Sequence, residues 1–210
     1  MKTRSVVMSA VMAAAMVPFG FKLAHQWNPE FMFYSGVLLV EAAAVIWLDA
    51  RVRFSWWALG ALGLWAVLHM AGGTVAIPES VTEPGRPANL YNLRLHPALP
   101  KYDQVIHALG FGAATWAAAE AMDAIVRPAR RGLGLFFALA FIGMGLGALN
   151  EVIEFIATRI MPETNVGGYD NMGWDLVCNT VGAVGAAAWW CGRKATSPRT
   201  AGRLEESEAT

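Results

Sequence analysis

Long apolar stretches set the pattern of this chain. Six of them can be read at spanning length: residues 5–23, 31–48, 54–77, 104–125, 133–157 and 172–192. About 20 apolar residues in a helix are needed to cross a bilayer. The pattern predicts an all-α, polytopic transmembrane helix bundle of about six spans. It forms a single domain over residues 1–194, followed by a disordered cytoplasmic tail over 195–210, where Ser, Thr, Pro and charge mix. The first stretch has a second reading, because Met1-Lys2-Thr3-Arg4 ahead of an apolar run also describes a signal peptide. No small-x-small site follows it and the run continues past Pro18 to Phe21, which favours a retained span.

Composition agrees with this pattern and narrows it. The chain has 210 residues, of which 56% are hydrophobic and 15% charged, where soluble domains run near a quarter charged. The mean hydropathy is +0.40. Nine Trp and 21 Gly fit aromatic belts and small-residue helix contacts. Gly143 with Gly147, and Gly182 with Ala186, are spaced to bring helices close. Sixteen basic residues balance sixteen acidic ones, so no nucleic-acid partner is expected. Cys178 and Cys191, thirteen positions apart in one apolar stretch, would lie roughly 20 Å apart on a helix, too far for a disulfide. A secreted disulfide scaffold, a disordered chain and a nucleic-acid binder are thereby excluded. The chain shows no Gly-rich phosphate loop, no serine nucleophile elbow and no solenoid repeat.

The distribution of basic residues orients the spans. With the N-terminus inside, eleven Lys and Arg fall on inner segments and five on outer ones, so the positive-inside rule places both termini in the cytoplasm. The outer connection 78–103 carries Pro78, Pro84, Pro87, Pro97 and Pro100. It reads as extended or turn-rich, and could lie over polar span ends as a cap.

Ionisable residues inside spans cost roughly 2.5–3.5 kcal/mol at mid-membrane and are tolerated where they face a bundle interior or a wet cavity. On the oriented spans, His69 lies near the outer end of the third. Lys101-Tyr102-Asp103-Gln104-Val105-Ile106-His107 opens the fourth. The fifth ends on Asn150-Glu151-Val152-Ile153-Glu154. The sixth opens on Tyr169-Asp170-Asn171-Met172-Gly173-Trp174-Asp175, with Asn179 below. Four helices thus carry His or carboxylate to similar depth on the outer side. Asp103 with His107, Asp175 with Asn179, and Asn150 with Glu154 are each four residues apart and share a helix face.

Three chemistries fit such a set. His69, His107, Asp103, Glu151, Glu154 and Asp175 could ligate a divalent metal ion, and a metal there could activate water for hydrolysis. In that reading Glu151, Glu154, Asp175 and His107 carry the catalysis. The same acids could instead relay protons or hold a transported cation, or form a polar pocket for a lipid head group. Against all three stands a network that merely holds helices together, and Asp103, Asp170 and Glu154 are near enough to span ends to reach water. Glu41, midway along the second span, needs a partner that no neighbour in sequence supplies. Glu120 and Asp123 sit beside Arg127, Arg130 and Arg131 and predict an inner-surface ion pair. His25 and His96 read as solvated loop residues.

The run Tyr102-Asp103 to His107, then Asn150-Glu151-Val152-Ile153-Glu154, then Gly173-Trp174-Asp175 with Asn179 and Gly182-Ala183, resembles the YjdF-type bacterial inner-membrane proteins. These are distantly similar to VanZ-like membrane proteins. The resemblance covers roughly residues 65–190. Tyr102, Asp103 and His107 match a Tyr-Asp-x-x-x-His start, Glu151 and Glu154 a Glu-x-x-Glu-like helix end, and Trp174-Asp175 an acidic Trp-Asp segment. Asn179 departs from relatives that repeat an acid there, which removes one charge from a metal site. The resemblance implies a polytopic helical fold in the inner membrane and brings no activity with it. The expectation from the residues is a membrane protein in contact with lipid, with a lipid or small-molecule ligand. It would act as a metal-assisted hydrolase of a lipid-linked substrate, or alternatively as a proton- or cation-coupled transporter, a small-solute binding protein or a structural membrane partner.

Overall fold

The computed structural model describes residues 16–21, 29–128, 130–161 and 164–193, and their regular structure is helical, without strands. Five long helices follow one another: α1 (Pro29–Val52), α2 (Trp56–Thr74), α3 (Tyr102–Ile125), α4 (Leu133–Ile160) and α5 (Tyr169–Gly192). Residues 16–21 are helical too. The expectations for the start of the first span, for His25 and for the tail lie outside the described residues.

Local chemistry sets the helix ends. Ser55 caps α2, its Oγ accepting from the Ala58 N–H at 3.1 Å. At the start of α3 the Lys101 N–H donates to Gln104 Oε1 at 2.9 Å, the return half of a capping box. Helices α1 and α3 each end in a left-handed residue, Arg53 (φ 60) and Arg127 (φ 52). Pro128 follows the second, where a helix cannot continue.

Packing inverts the soluble pattern. Large apolar side chains such as Leu39, Val40, Trp57, Leu133, Phe141 and Val181 point outward. The interior combines small residues and polar ones with some large apolar side chains, among them Phe54, Ile106, Leu139 and Trp190. Helix α3 is central, packed against α5, α4 and α2, while α1 lies at the periphery. Close approach depends on Gly182, where a Cβ would collide with the Ala108 carbonyl oxygen of α3. Gly143 and Gly147 face Thr115 of α3 and Ala183 and Asn179 of α5. Of the small-residue faces expected from spacing, Gly143, Gly147 and Gly182 therefore serve helix contact. Two helices, α1 over Met32–Val52 and α4 over its whole length, are apolar and long enough to cross a membrane. Helices α2, α3 and α5 carry Gly, Ala, Trp and polar residues among their apolar ones.

The long connection between α2 and α3 is a folded cap. Two short 3-10 turns, Glu79–Val81 and Leu90–Asn92, are tied by Leu90 N–H to Val75 O (2.9 Å) and Glu83 N–H to Asn92 O (2.8 Å). Tyr91 Oη donates to His69 O at 2.7 Å and Tyr102 Oη to Leu68 O at 2.9 Å, which seats this connection on the ends of α2 and α3. Asn165, after α4, donates through its backbone N–H and its Nδ2 to Glu30 of α1, both at 2.7 Å. Its Oδ1 accepts from Asn89 Nδ2 at 3.0 Å. One asparagine thus joins α1, the cap and the α4–α5 connection.

Candidate functional site

Helices α3 and α5 enter the bundle at the capped end and α4 leaves there. Their polar faces meet around His107, which is buried, as are Glu151, Asp175 and Asn179. His107 Nδ1 lies 3.1 Å from Asn179 Oδ1 and 3.3 Å from Glu151 Oε1. Asn179 Nδ2 donates to the same Glu151 oxygen at 3.0 Å. A carboxylate can only accept, so the Asn179 amide must turn its nitrogen to Glu151 and its oxygen to His107. Nδ1 therefore carries a proton, and Nε2 is left facing Asp103 Oδ1 at 3.6 Å and Glu154 Oε1 at 3.7 Å.

The surrounding groups hold these carboxylates in place. Asn150 Nδ2 donates to Glu154 Oε1 at 2.8 Å, and Asn171 Nδ2 donates to Asp175 Oδ2. Lys101, buried at the head of α3, places Nζ 3.0 Å from Asp103 Oδ2. Four carboxylates thus face one lysine and one histidine. Burying unpaired charge costs several kcal/mol per ion. Two acceptor oxygens also lack any hydrogen-bond partner although buried, Glu151 Oε2 and Asp175 Oδ1.

Two sets of three side chains bring ligand atoms within 4.8 Å of one another: Asp103, His107 and Asp175, and His107, Glu151 and Glu154. On an ion with bonds of about 2.1 Å, ligand atoms sit roughly 3–4 Å apart, so small side-chain rotations would close either set. The donor chemistry and the orphaned oxygens fit a divalent cation.

Of the expected ligands, Asp103, His107, Glu151, Glu154 and Asp175 converge, and His69 stands apart from both sets. Its ring packs against Trp65 and Tyr91 at centroid distances of 5.3 and 5.5 Å. It lines a small cavity that also touches Glu154, Asn150, Tyr34 and Glu41. The mid-helix Glu41 therefore finds its polar surroundings across space, on α2 and α4. Asp170 is exposed in the first turn of α5, and His96 is exposed in the cap. Outside the apolar segments, burial pushes the Glu30 carboxyl above its usual range, against hydrogen bonds from Asn165 and the Val166 backbone.

At the opposite end the expected ion pair forms with Asp123, 2.5 Å from Arg131. Glu120 does something else. It accepts from Ser55 N–H (2.7 Å), Ser55 Oγ (2.6 Å) and Trp116 Nε1 (2.9 Å), and so locks the start of α2 to α3. Sequence reasoning missed Lys101 and Asn171 as members of the site. The i,i+4 spacing of Asn171 to Asp175 was a usable signal, whereas the burial of Lys101 depends on the cap folding over it.

Residues 4–195 match the model of a family described as predicted membrane protein, DUF2238. The chain belongs to this family. No curated protein and no solved structure matches the chain. The outward-facing apolar side chains of this DUF2238 protein accord with the family's description as a membrane protein, and its His107 cluster is buried within the bundle.

Proposed function

We propose that this DUF2238 protein is a multi-pass protein of the bacterial inner membrane, with both termini cytoplasmic, that holds a divalent cation at the His107 cluster. With that cation it hydrolyses a lipid-linked substrate. The observation that carries the reading is the pair of buried, unpartnered oxygens, Glu151 Oε2 and Asp175 Oδ1, within a set of four carboxylates gathered around one imidazole. One imidazole among several carboxylates suits a hard ion such as Mg²⁺ or Mn²⁺, with Zn²⁺ next. Basic residues at the uncapped end, Arg51, Arg127, Arg130, Arg131 and Arg193, support an outward-facing site.

When bound, the cation would supply Lewis acidity toward water and toward the scissile acyl or phosphoryl oxygen. The chain's own residues do the rest. Asn179 fixes the His107 tautomer and so presents Nε2. Glu154, held by Asn150 and bordering the cavity, is placed to take the proton from the attacking water and return it to the leaving oxygen. The water oxygen bonds to the substrate centre as the bond to the leaving group breaks.

The test is metal analysis of the purified full chain, combined with thermal unfolding with and without added Mn²⁺ or Mg²⁺. Stoichiometric metal in wild type, lost in the near-isosteric Glu151→Gln while the fold is kept, is the expected result. A wild type that binds no divalent ion and gains no stability from one would end the metal reading. A second reading, cation or proton transport, is favoured by Glu41 and Glu154 bordering one cavity. Ion-linked flux in liposomes that Glu154→Gln abolishes would establish it.

A further inference from the structure

Helix α1 is fastened to the bundle at its two ends and stands off in between. Glu30 binds Asn165 at the capped end, and Val45, Leu48 and Val52 pack beside Phe54 and Ala58 at the other. Two small cavities lie along the intervening stretch. One borders Glu30, Met70, Tyr91 and Asn165 near the cap. The other borders Val37, Leu38, Glu41, Asn150 and Glu154, deeper along α1. Tyr34 and His69 line both, so the two cavities flank that pair.

Size and lining decide the occupant. The cavities measure about 10 and 20 Å³, and roughly 10–15 Å³ admits one water, given polar partners. An acyl chain or head group is far too large. Polar partners are present at both levels, and the Tyr34 hydroxyl is buried there with no hydrogen-bond partner in the protein. A dry cavity is normally apolar; the deeper one is not, with Glu41, His69, Asn150 and Glu154 on its wall, while the one near the cap is mostly apolar and offers water its polar contacts at Glu30, Tyr34 and Asn165.

We propose that this crevice is a water route, running from the cap past Tyr34 and His69 to Glu154 and Glu41, with the Tyr34 hydroxyl bonded to water. Under the hydrolytic reading above, which this inference deepens, the route supplies the water consumed at the His107 cluster. Glu154 is the group common to the crevice and the cluster. Glu41 is solvated by the same chain of waters, which accounts for a carboxyl midway along an otherwise apolar helix.

Hydroxyl-radical footprinting of the full chain in lipid nanodiscs tests this, because the radicals form from water in contact with a side chain. Like residues on α1 give internal controls. Leu38 and Val37 line the crevice, whereas Leu39 and Val40 face outward, 72% and 71% exposed. Leu38 and Val37 are expected to be modified several-fold faster than Leu39 and Val40, and His69 to be modified as well. Val37→Phe, which fills the crevice, is expected to cut His69 modification several-fold. Equal or reversed rates within the Leu and Val pairs overturn the route. So does a folded Val37→Phe protein with unchanged His69 labelling. The wild-type comparison stands if that variant fails to fold. It is also independent of metal content, so a failure here is distinguishable from failure of the metal reading.

Discussion

At position 179 an amide stands between a carboxylate and an imidazole, and its two ends do different work. Its nitrogen donates to Glu151 and its oxygen sits opposite His107 Nδ1. From sequence, Asn179 looks like a charge missing from a metal site. In the structure it is the group that orients both neighbours, and an acid there would aim a third set of lone pairs at an oxygen that already accepts. Asn179→Asp is therefore expected to destabilise the protein by about 3–5 kcal/mol, the usual cost of an uncompensated buried charge, read as a large drop in Tm. If Asn179→Asp unfolds like wild type, the amide is not organising the site. A second residue-scale prediction concerns Arg127, which closes α3 in the left-handed region at φ 52. A side chain there costs about 1–2 kcal/mol that glycine avoids. Arg127→Gly should leave stability equal or raise it by up to about 1 kcal/mol, and Arg127→Val should lower it. Denaturant unfolding of the two variants checks the order.

Contact between elements is governed by where side chains are absent. Gly182 lets α5 lie directly on the α3 backbone, and the carbonyl it would strike belongs to Ala108, next to His107. Gly185, one turn on, has open space around it. Gly182→Ala should cost about 1–3 kcal/mol through overpacking and shift the site with it, so bound metal should fall as well. Gly185→Ala should be neutral or slightly stabilising, since alanine is the better helix former by about 1 kcal/mol. Equal Tm values for the two would refute this packing account. The helices, their small-residue faces and the i,i+4 polar pairs were legible in the sequence, because each depends on spacing within one element. The seating of the cap on Leu68 and His69, the burial of Lys101, the surroundings of Glu41 and the bonding of Glu120 to Ser55 were not. Each of these depends on which helices become neighbours, and an unbroken apolar stretch carries no record of its partner.

Over the whole molecule, the two ends of the bundle have opposite chemistry. The capped end gathers Glu30, Asp103, Glu151, Glu154 and Asp175 with their amide partners. The other end gathers arginines stacked on tryptophans. The Arg51 guanidinium lies 3.8 Å from the Trp47 ring centroid, and Arg193 lies 4.6 and 4.8 Å from those of Trp189 and Trp190. Arginine over tryptophan is an arrangement suited to a membrane interface, where the ring is anchored among head groups and the cation faces water. Basic residues are retained on the cytoplasmic side, so the arginine end should face the cytoplasm and the acidic site the outer side. His96 in the cap and Arg130 between α3 and α4 are both exposed, which makes them reporters for the two ends. In a background with Cys178 and Cys191 replaced by alanine, His96→Cys should react with a membrane-impermeant maleimide in intact bacterial cells. Arg130→Cys should react only after the membrane is opened. The reverse pattern would invert the protein, place the His107 cluster on the cytoplasmic side, and require its substrate to be sought there.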